Sequence, residues 1–396
     1  MRVVQINVLA KNRSTGRTTD ELHNYLINNG HSSFVAYGIG PKENDSSFYK
    51  IGNKFDYYSH NILSRLFGTQ GFHSKHSTKK LIRWLEEIKP DVVHLRNLHS
   101  NYLNLDLLFK FLKKNDISVV ITTHDFWFLT AFCPYPKKEC DILRCDSCKI
   151  FRRKTRLFYN PKSIFLRKRN LFLGLNHFSI QANSKFSKAI VQESYLKNIN
   201  TEVIYNWIDF RNFYPDSIPD FFNTKKPVVL TVWSFLDDKQ ERFQFFIKIA
   251  KMLNNLYTFV MLGNYTFDAS KYPFVSFYQG TNNVEDLRHF YSSADLLFNP
   301  STTDTFWKVV AEAMSCGTPC IVFNNQALPE LVGNNECGMI VEPFDVDGTI
   351  VTIKEVLKNT KTYYTEKCLI RSRELFDLQK NCEQLVHLYE KTIYGK

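Results

Sequence analysis

Asp304 and Glu312 stand with seven residues between them in the stretch NPSTTDTFWKVVAEAMSCGTPCIVFNN. Val309, Val310, Ala313 and Met314 fall at helical spacing around Glu312 and make one apolar face. Gly317 suits a C-terminal cap, Pro319 stops the helix, and CIVF then reads as a buried strand. The pattern predicts a short helix starting near Phe306, with Asp304 just before it and Glu312 about two turns in. The N-terminus of a helix offers free N–H groups and the positive end of the dipole, which favour a phosphate. Carboxylates at the same place accept hydrogen bonds from sugar hydroxyls, so the combination suits a nucleotide sugar. Lys308 is placed to face the phosphates. An acidic N-cap followed by a solvent-facing Glu meets the same spacing.

Other residues are candidates for chemistry. Ser14, Thr15, Gly16 and Arg17 follow the apolar run RVVQINV and precede the helical pattern TTDELHNYLINNG. Ligands of open α/β sheets bind at such strand-to-helix turns. Gly16 would let the backbone approach a phosphate and Arg17 would pair with it, although a plain polar turn has the same composition. His124 ends the run VVITTHD beside Asp125, a place that suits a structural or a catalytic histidine. Cys133, Cys140, Cys145 and Cys148 are separated by six, four and two residues. Four thiolates so close, ending in C-x-x-C, suit a tetrahedral structural zinc; four free thiols are the alternative. Such a zinc has no open position, so no cofactor is expected to be required for the chemistry.

From Lys149 to Arg169 there are nine Lys or Arg and no acid, interleaved with Phe151, Phe158, Tyr159 and Phe165. That composition fits a groove for single-stranded nucleic acid, a surface for anionic lipid, or a solvated helix face.

The chain of 396 residues is too long for one core of usual size, which predicts two domains. It is 44% hydrophobic and 23% charged, as expected of a globular protein, with a net charge of +12 that favours anionic partners. No apolar run approaches ~18 residues, and MRVVQINVLAKNRS lacks the apolar core of a leader, so a cytoplasmic location is expected. Nine cysteines, an odd number, argue against a disulfide framework. Short apolar runs alternate with helical patterns along the whole chain, the mark of βαβ units and parallel sheets.

Several of these stretches resemble retaining glycosyltransferases of family four. In that family two Glu residues separated by seven precede AMACGTP or similar; here Asp304 replaces the first, Glu312 is the second, and AMSCGTP follows. QIN at Gln5–Asn7 with the later STGR, TTHDFW around His124, VVHLRNLHSNYLN with His94 and His99, and GTNNVEDLRHFYSSADLLFNPS are further matches. Trp307 stands where the family has a small residue, and Trp207 where its interdomain stretch has Gly. The resemblance implies an α/β fold of the B-type architecture, two Rossmann-like domains facing across a cleft. It implies an acceptor-side domain over residues 1–205, with a C-terminal helix over 380–396 packing back, and a nucleotide-sugar domain over 206–379. It assigns Asp304 to the transferred sugar, Glu312 to the ribose, His124 to the cleft near sugar and phosphate, and Lys239, with Arg242 as the alternative, to the donor diphosphate. His94 and His99 would line the cleft. A lipid-linked glycan acceptor of a bacterial surface polysaccharide is implied, so the basic stretch reads as meeting an anionic membrane and not nucleic acid. The location expected is peripheral, at the inner face of the plasma membrane. Two rivals are a non-catalytic nucleotide-sugar-binding subunit and a basic nucleic-acid-binding protein.

Overall fold

The computed structural model describes residues 1–136, 145, 160–333 and 335–395. The chain divides into two compact units, Met1–Ile204 with Cys382–Lys396, and Tyr205–Asn381.

The first unit holds a seven-stranded parallel sheet. Its strands are β1 (Arg2–Leu9), β2 (Ser32–Ile39), β3 (Phe48–Lys50), β4 (Val92–Leu95), β5 (Ser118–Thr122), β6 (Phe178–Ala182) and β7 (Asn200–Val203), in the order β3-β2-β1-β4-β5-β6-β7. Parallel strands are covered on both faces, which explains why they read as continuous apolar runs. Val92, Val93, His94 and Leu95 of β4 are all buried. Helices α1 (Arg13–Asn28), α2 (Lys54–Phe67), α3 (Lys75–Ile88), α4 (Leu105–Lys114), α5 (Pro161–Leu173) and α6 (Lys185–Gln192) follow in chain order. The C-terminal helix, Leu378–Tyr394, joins this unit from Cys382 on. There the Thr392 hydroxyl donates to Ser179 Oγ at 2.8 Å, and Lys391 pairs with Glu202 at 2.9 Å.

The second unit holds a six-stranded parallel sheet of β8 (Val228–Phe235), β9 (Thr258–Asn264), β10 (Val275–Tyr278), β11 (Leu296–Asn299), β12 (Cys320–Phe323) and β13 (Gly338–Val341), ordered β10-β9-β8-β11-β12-β13. Its helices are α7 (Glu241–Leu253), α8 (Val284–Ser293), α9 (Lys308–Ser315), α10 (Leu328–Val332), α11 (Val346–Lys358) and α12 (Thr360–Phe376). Phenylalanines fill the space under α7: Phe246 stacks on Phe298 at 6.0 Å, and Phe245 meets Phe323 edge-on at 5.5 Å.

The core of the first unit contains two neutral histidines. His60 accepts from the Gly71 N–H at 3.1 Å through Nε2, and its Nδ1 lies 2.7 Å from Ser74 Oγ. Burial pushes its pKa down to about 3. His94 is locked by a relay. The Thr122 hydroxyl donates to Gln181 Oε1 at 2.6 Å, so His94 Nε2 must donate to Thr122 Oγ1, and His94 Nδ1 accepts from the Tyr389 hydroxyl at 2.7 Å. Burial holds His94 well below the ordinary value. His94 is therefore a core residue under the C-terminal helix, and the expectation that it lines a cleft is corrected.

In the unfolded chain both histidines titrate near 6.5, so below that pH it binds protons that the folded unit refuses. Their contribution is complete above ~6.5 and falls with pH by about 1.4 kcal/mol per unit for each histidine. Between pH 7.5 and 5, urea unfolding of the first unit should lose about 2 kcal/mol through His60, with His94 acting in the same direction. A flat profile over that range would contradict this protonation state.

Candidate functional site

In the second unit β8 and β11 lie side by side, with β9 and β10 beyond one and β12 and β13 beyond the other. The winding direction reverses between them, so the crossover connections diverge and leave a crevice at the carboxyl ends of the two strands. A cavity of about 320 Å³ occupies that place. Val232, Trp233 and Ser234 come from the end of β8, Asn299 from the end of β11, and Arg242 from the first turn of α7. Asp304 and Trp307, before α9, complete the polar wall.

Asp304 and Arg242 are held locally. Asp304 Oδ1 accepts from the N–H groups of Thr305 at 2.7 Å and Phe306 at 3.2 Å, while its own N–H donates to Gln326 Oε1 at 2.8 Å. Arg242 Nε donates to Gln240 Oε1 at 2.9 Å, and its guanidinium lies 4.4 Å over the Trp233 ring. Burial lowers the pKa of Arg242. The indole N–H groups of Trp233 and Trp307 and the amide nitrogen of Asn299 are buried without a hydrogen-bond partner among the described residues. One carboxylate and one guanidinium in the same lining can recognise hydroxyls and phosphate together.

The helix after the acid starts at Lys308, two residues later than the spacing predicts. The Asp304 carboxylate fixes the turn before it, and the Phe306 ring packs edge-on against Phe376 at 5.5 Å. Glu312 is thus just over one turn into α9, and it is buried, not solvent-facing. It accepts from the Tyr291 hydroxyl at 2.9 Å. Lys308 is buried too; burial would raise the Asp209 carboxyl, but the hydrogen bonds and charge of Arg211 hold it below the ordinary range, with a smaller contribution from Lys308. Phe306, Lys308 and Glu312 do not line the cavity. Of the two cations expected at the diphosphate, Arg242 lines it. Lys239 is exposed, with its N–H donating to Asp237 Oδ1 at 3.0 Å.

In the first unit α1 begins at Arg13, so Ser14–Arg17 lie in its first turns and not in a loop. A side chain at Gly16 would come within 3.2 Å of Leu9 Cβ and 3.1 Å of the Lys11 carbonyl carbon, so close helix-to-strand packing accounts for this glycine. Arg17 is half-buried. His124 follows β5 and is buried, its N–H donating to the Thr122 carbonyl at 2.9 Å. Next to it, Asp125 accepts from the Trp127 N–H at 2.7 Å and lies 3.2 Å from His99 Nε2.

Of the four cysteines, Cys140 and Cys148 lie outside the described residues. The Cys133 thiol donates to the Tyr135 carbonyl at 2.9 Å, and Cys145 Sγ accepts from the Ala131 N–H at 3.3 Å. Among the described residues no group of three or more His, Cys, Asp or Glu is placed to hold a metal. Residues 149–159 of the basic stretch also lie outside the described residues. Lys168 is not part of a solvated basic surface. It is buried against the Trp127 ring, donating to the carbonyls of Trp127 at 2.9 Å and of Thr130 and Ala131 at 3.1 Å.

The family model described as Glycosyltransferase Family 4 matches residues 15–212, half of the chain, and the model of glycosyl transferases group 1 matches residues 219–368. The chain belongs to glycosyltransferase family 4. It is therefore a glycosyltransferase. Among relatives, an uncharacterized 41.2 kDa protein in the cps region of Klebsiella pneumoniae is 24% identical over 300 residues, 72% of this chain and 74% of that protein. The O-antigen chain mannosyltransferase B of Escherichia coli is 37% identical over 82 residues, 21% of each chain. The fold is that of sucrose-phosphate synthase from Thermosynechococcus elongatus, with a TM-score of 0.73 over the whole of both chains at 15% identity. HepE of Anabaena, solved in complex with UDP, gives 0.69 at 15% identity over 99% of this chain and 100% of that one. Both are two-domain B-type folds, as the family implies.

Trp233 and Asn299 escaped the sequence reading, because only the strand order puts them beside Asp304. Tyr291 escaped it as well, since nothing in FYSSAD marks a partner for Glu312. Removing its hydroxyl leaves a buried carboxylate oxygen short of a charge-assisted bond. Tyr291→Phe should therefore cost the second unit about 1.5–3 kcal/mol in urea unfolding. A loss under ~0.5 kcal/mol would mean that this bond does not fix Glu312.

Proposed function

We propose that this chain is a retaining enzyme that moves a sugar from a nucleoside diphosphate donor to a lipid-linked glycan acceptor in the synthesis of a bacterial surface polysaccharide. The observation that carries the reading is the cavity at the reversal of the second sheet, where Asp304 and Arg242 stand together in the lining. Arg242 would hold the diphosphate and Asp304 the sugar hydroxyls. Glu312, which the family resemblance gives to the ribose, is buried in α9, bonded to Tyr291 and outside the lining of this cavity, so no donor contact is assigned to it. UDP or UDP-glucose in the titled structures of HepE supports a nucleotide-sugar donor. The cps region of one relative, and the O-antigen and putative colanic acid roles named for two others, support a polysaccharide product.

Transfer with retention needs no general base on the acceptor side. The bond from the anomeric carbon to the donor phosphate breaks, and the acceptor oxygen bonds that carbon from the same face. The acceptor proton passes to the departing phosphate oxygen. The protein's part is to stabilise the charge growing on the diphosphate, with Arg242 and the N-terminal end of α9 as the groups for it. A proton NMR spectrum of the fresh product tests this. Its anomeric coupling should match that of the donor, and an inverted linkage would overturn the mechanism. Donor binding with no transfer to any lipid-linked acceptor would favour a binding subunit.

A further inference from the structure

Helix α2 is built with its polarity reversed. At about 100° per residue, Phe55, Tyr58 and Ile62 share an arc of about 60°. They are 79%, 60% and 59% exposed. Leu66 continues the arc, and Leu63 and Phe67 extend the exposed apolar surface on one side. The buried face, opposite, carries His60 and Ser64. An ordinary surface helix has the contrary arrangement, with its apolar stripe against the core. The cations Lys54 and Arg65 flank the outward stripe on its other side. The single acid of α2, Asp56, is tied up in a capping box with Asn53.

Basic residues continue beyond the helix. Lys75, Lys79, Lys80 and Arg83 of α3 are exposed, against Glu86 and Glu87 on the same helix. An exposed apolar stripe with aromatic residues and a cationic border fits one occupant best, the headgroup and acyl boundary of an anionic bilayer. A second copy of the chain would meet the same face and bring like cations together. At 14 residues α2 is too short to span a bilayer, and among the described residues no helix is long and apolar enough to cross one.

We propose that α2 lies in the plane of an anionic membrane, with Phe55, Tyr58 and Ile62 in the acyl boundary and Lys54 and Arg65 at the headgroups. The inference deepens the reading of a lipid-linked acceptor, but it rests on α2 alone. The test uses the full chain with vesicles of phosphatidylcholine carrying phosphatidylglycerol. The variant Phe55→Ser/Tyr58→Ser/Ile62→Ser should bind at least roughly tenfold more weakly than the parent. Its thermal unfolding should be unchanged, because the three side chains face water. In the variant Phe55→Trp, the added emission should shift to the blue on these vesicles and not on pure phosphatidylcholine. Equal vesicle binding by the parent and the triple variant would overturn the proposal. So would sedimentation showing that the face joins two copies, with no vesicle binding. UDP calorimetry on the same proteins keeps the two readings apart. A parent that binds vesicles through α2 but not UDP would refute the donor site and leave this inference standing.

Discussion

A parallel strand can be followed by another parallel strand only through a crossover, and the crossover must cover a face of the sheet. In the second unit that constraint leaves one exposed place, where the chain winds outward from β8 in one direction and later from β11 in the other. The helices part there, and the carboxyl ends of the two strands open onto the cavity. Everything the candidate site needs is delivered to that point by short connections. β8 runs through the loop bearing Gln240 to Arg242, and β11 runs through Ser301 to Asp304. Moving either strand in the sheet order would scatter the constellation.

The two acids of the motif are held in different ways. Asp304 is fixed by backbone N–H groups at the edge of the cavity, where its carboxylate also ends the turn before α9. Glu312 is enclosed and fixed by a side-chain hydroxyl from α8. Lys361 reinforces the same corner. It donates to the Ala294 carbonyl at 2.9 Å and to the Ser292 carbonyl at the end of α8, and burial brings its pKa to about 8. A helix whose last carbonyls are capped by a lysine is a firm support for Tyr291. The acid deepest in the unit is thus placed by packing, while the acid at the cavity is placed by local backbone.

The central strands of both sheets were legible in the sequence, because burial on both faces leaves an uninterrupted apolar run, whereas the edge strands β3 (FYK) and β7 (NTEV) carry no such run and were not read. The acid pair was legible as well, through spacing around one helical face. The start of α9 was not. Asp304 satisfies two N–H groups ahead of the helix, a competition between side chain and backbone that periodicity does not register. Pattern put Lys239 ahead of Arg242, yet it is Arg242 that lines the cavity, because the difference lies in how the loop after β8 turns onto Trp233. Lys168 and His94 were misread for a common reason. A lysine or histidine in a polar-looking run reads as surface or site, yet each is buried with its hydrogen-bonding groups satisfied by the core.

The central claim is that an acceptor-rich, phosphate-bearing ligand fills the cavity between the ends of β8 and β11. The chain has five tryptophans, and two of them, Trp233 and Trp307, contribute to the lining of that cavity. Indole resonances of the nitrogen-labelled protein, assigned by single Trp→Phe replacements, report on them directly during titration with UDP-glucose. The account predicts that the Trp233 and Trp307 signals move while those of Trp84 and Trp127, in the first unit, stay in place. Movement of Trp84 or Trp127 with Trp233 and Trp307 unmoved would contradict it.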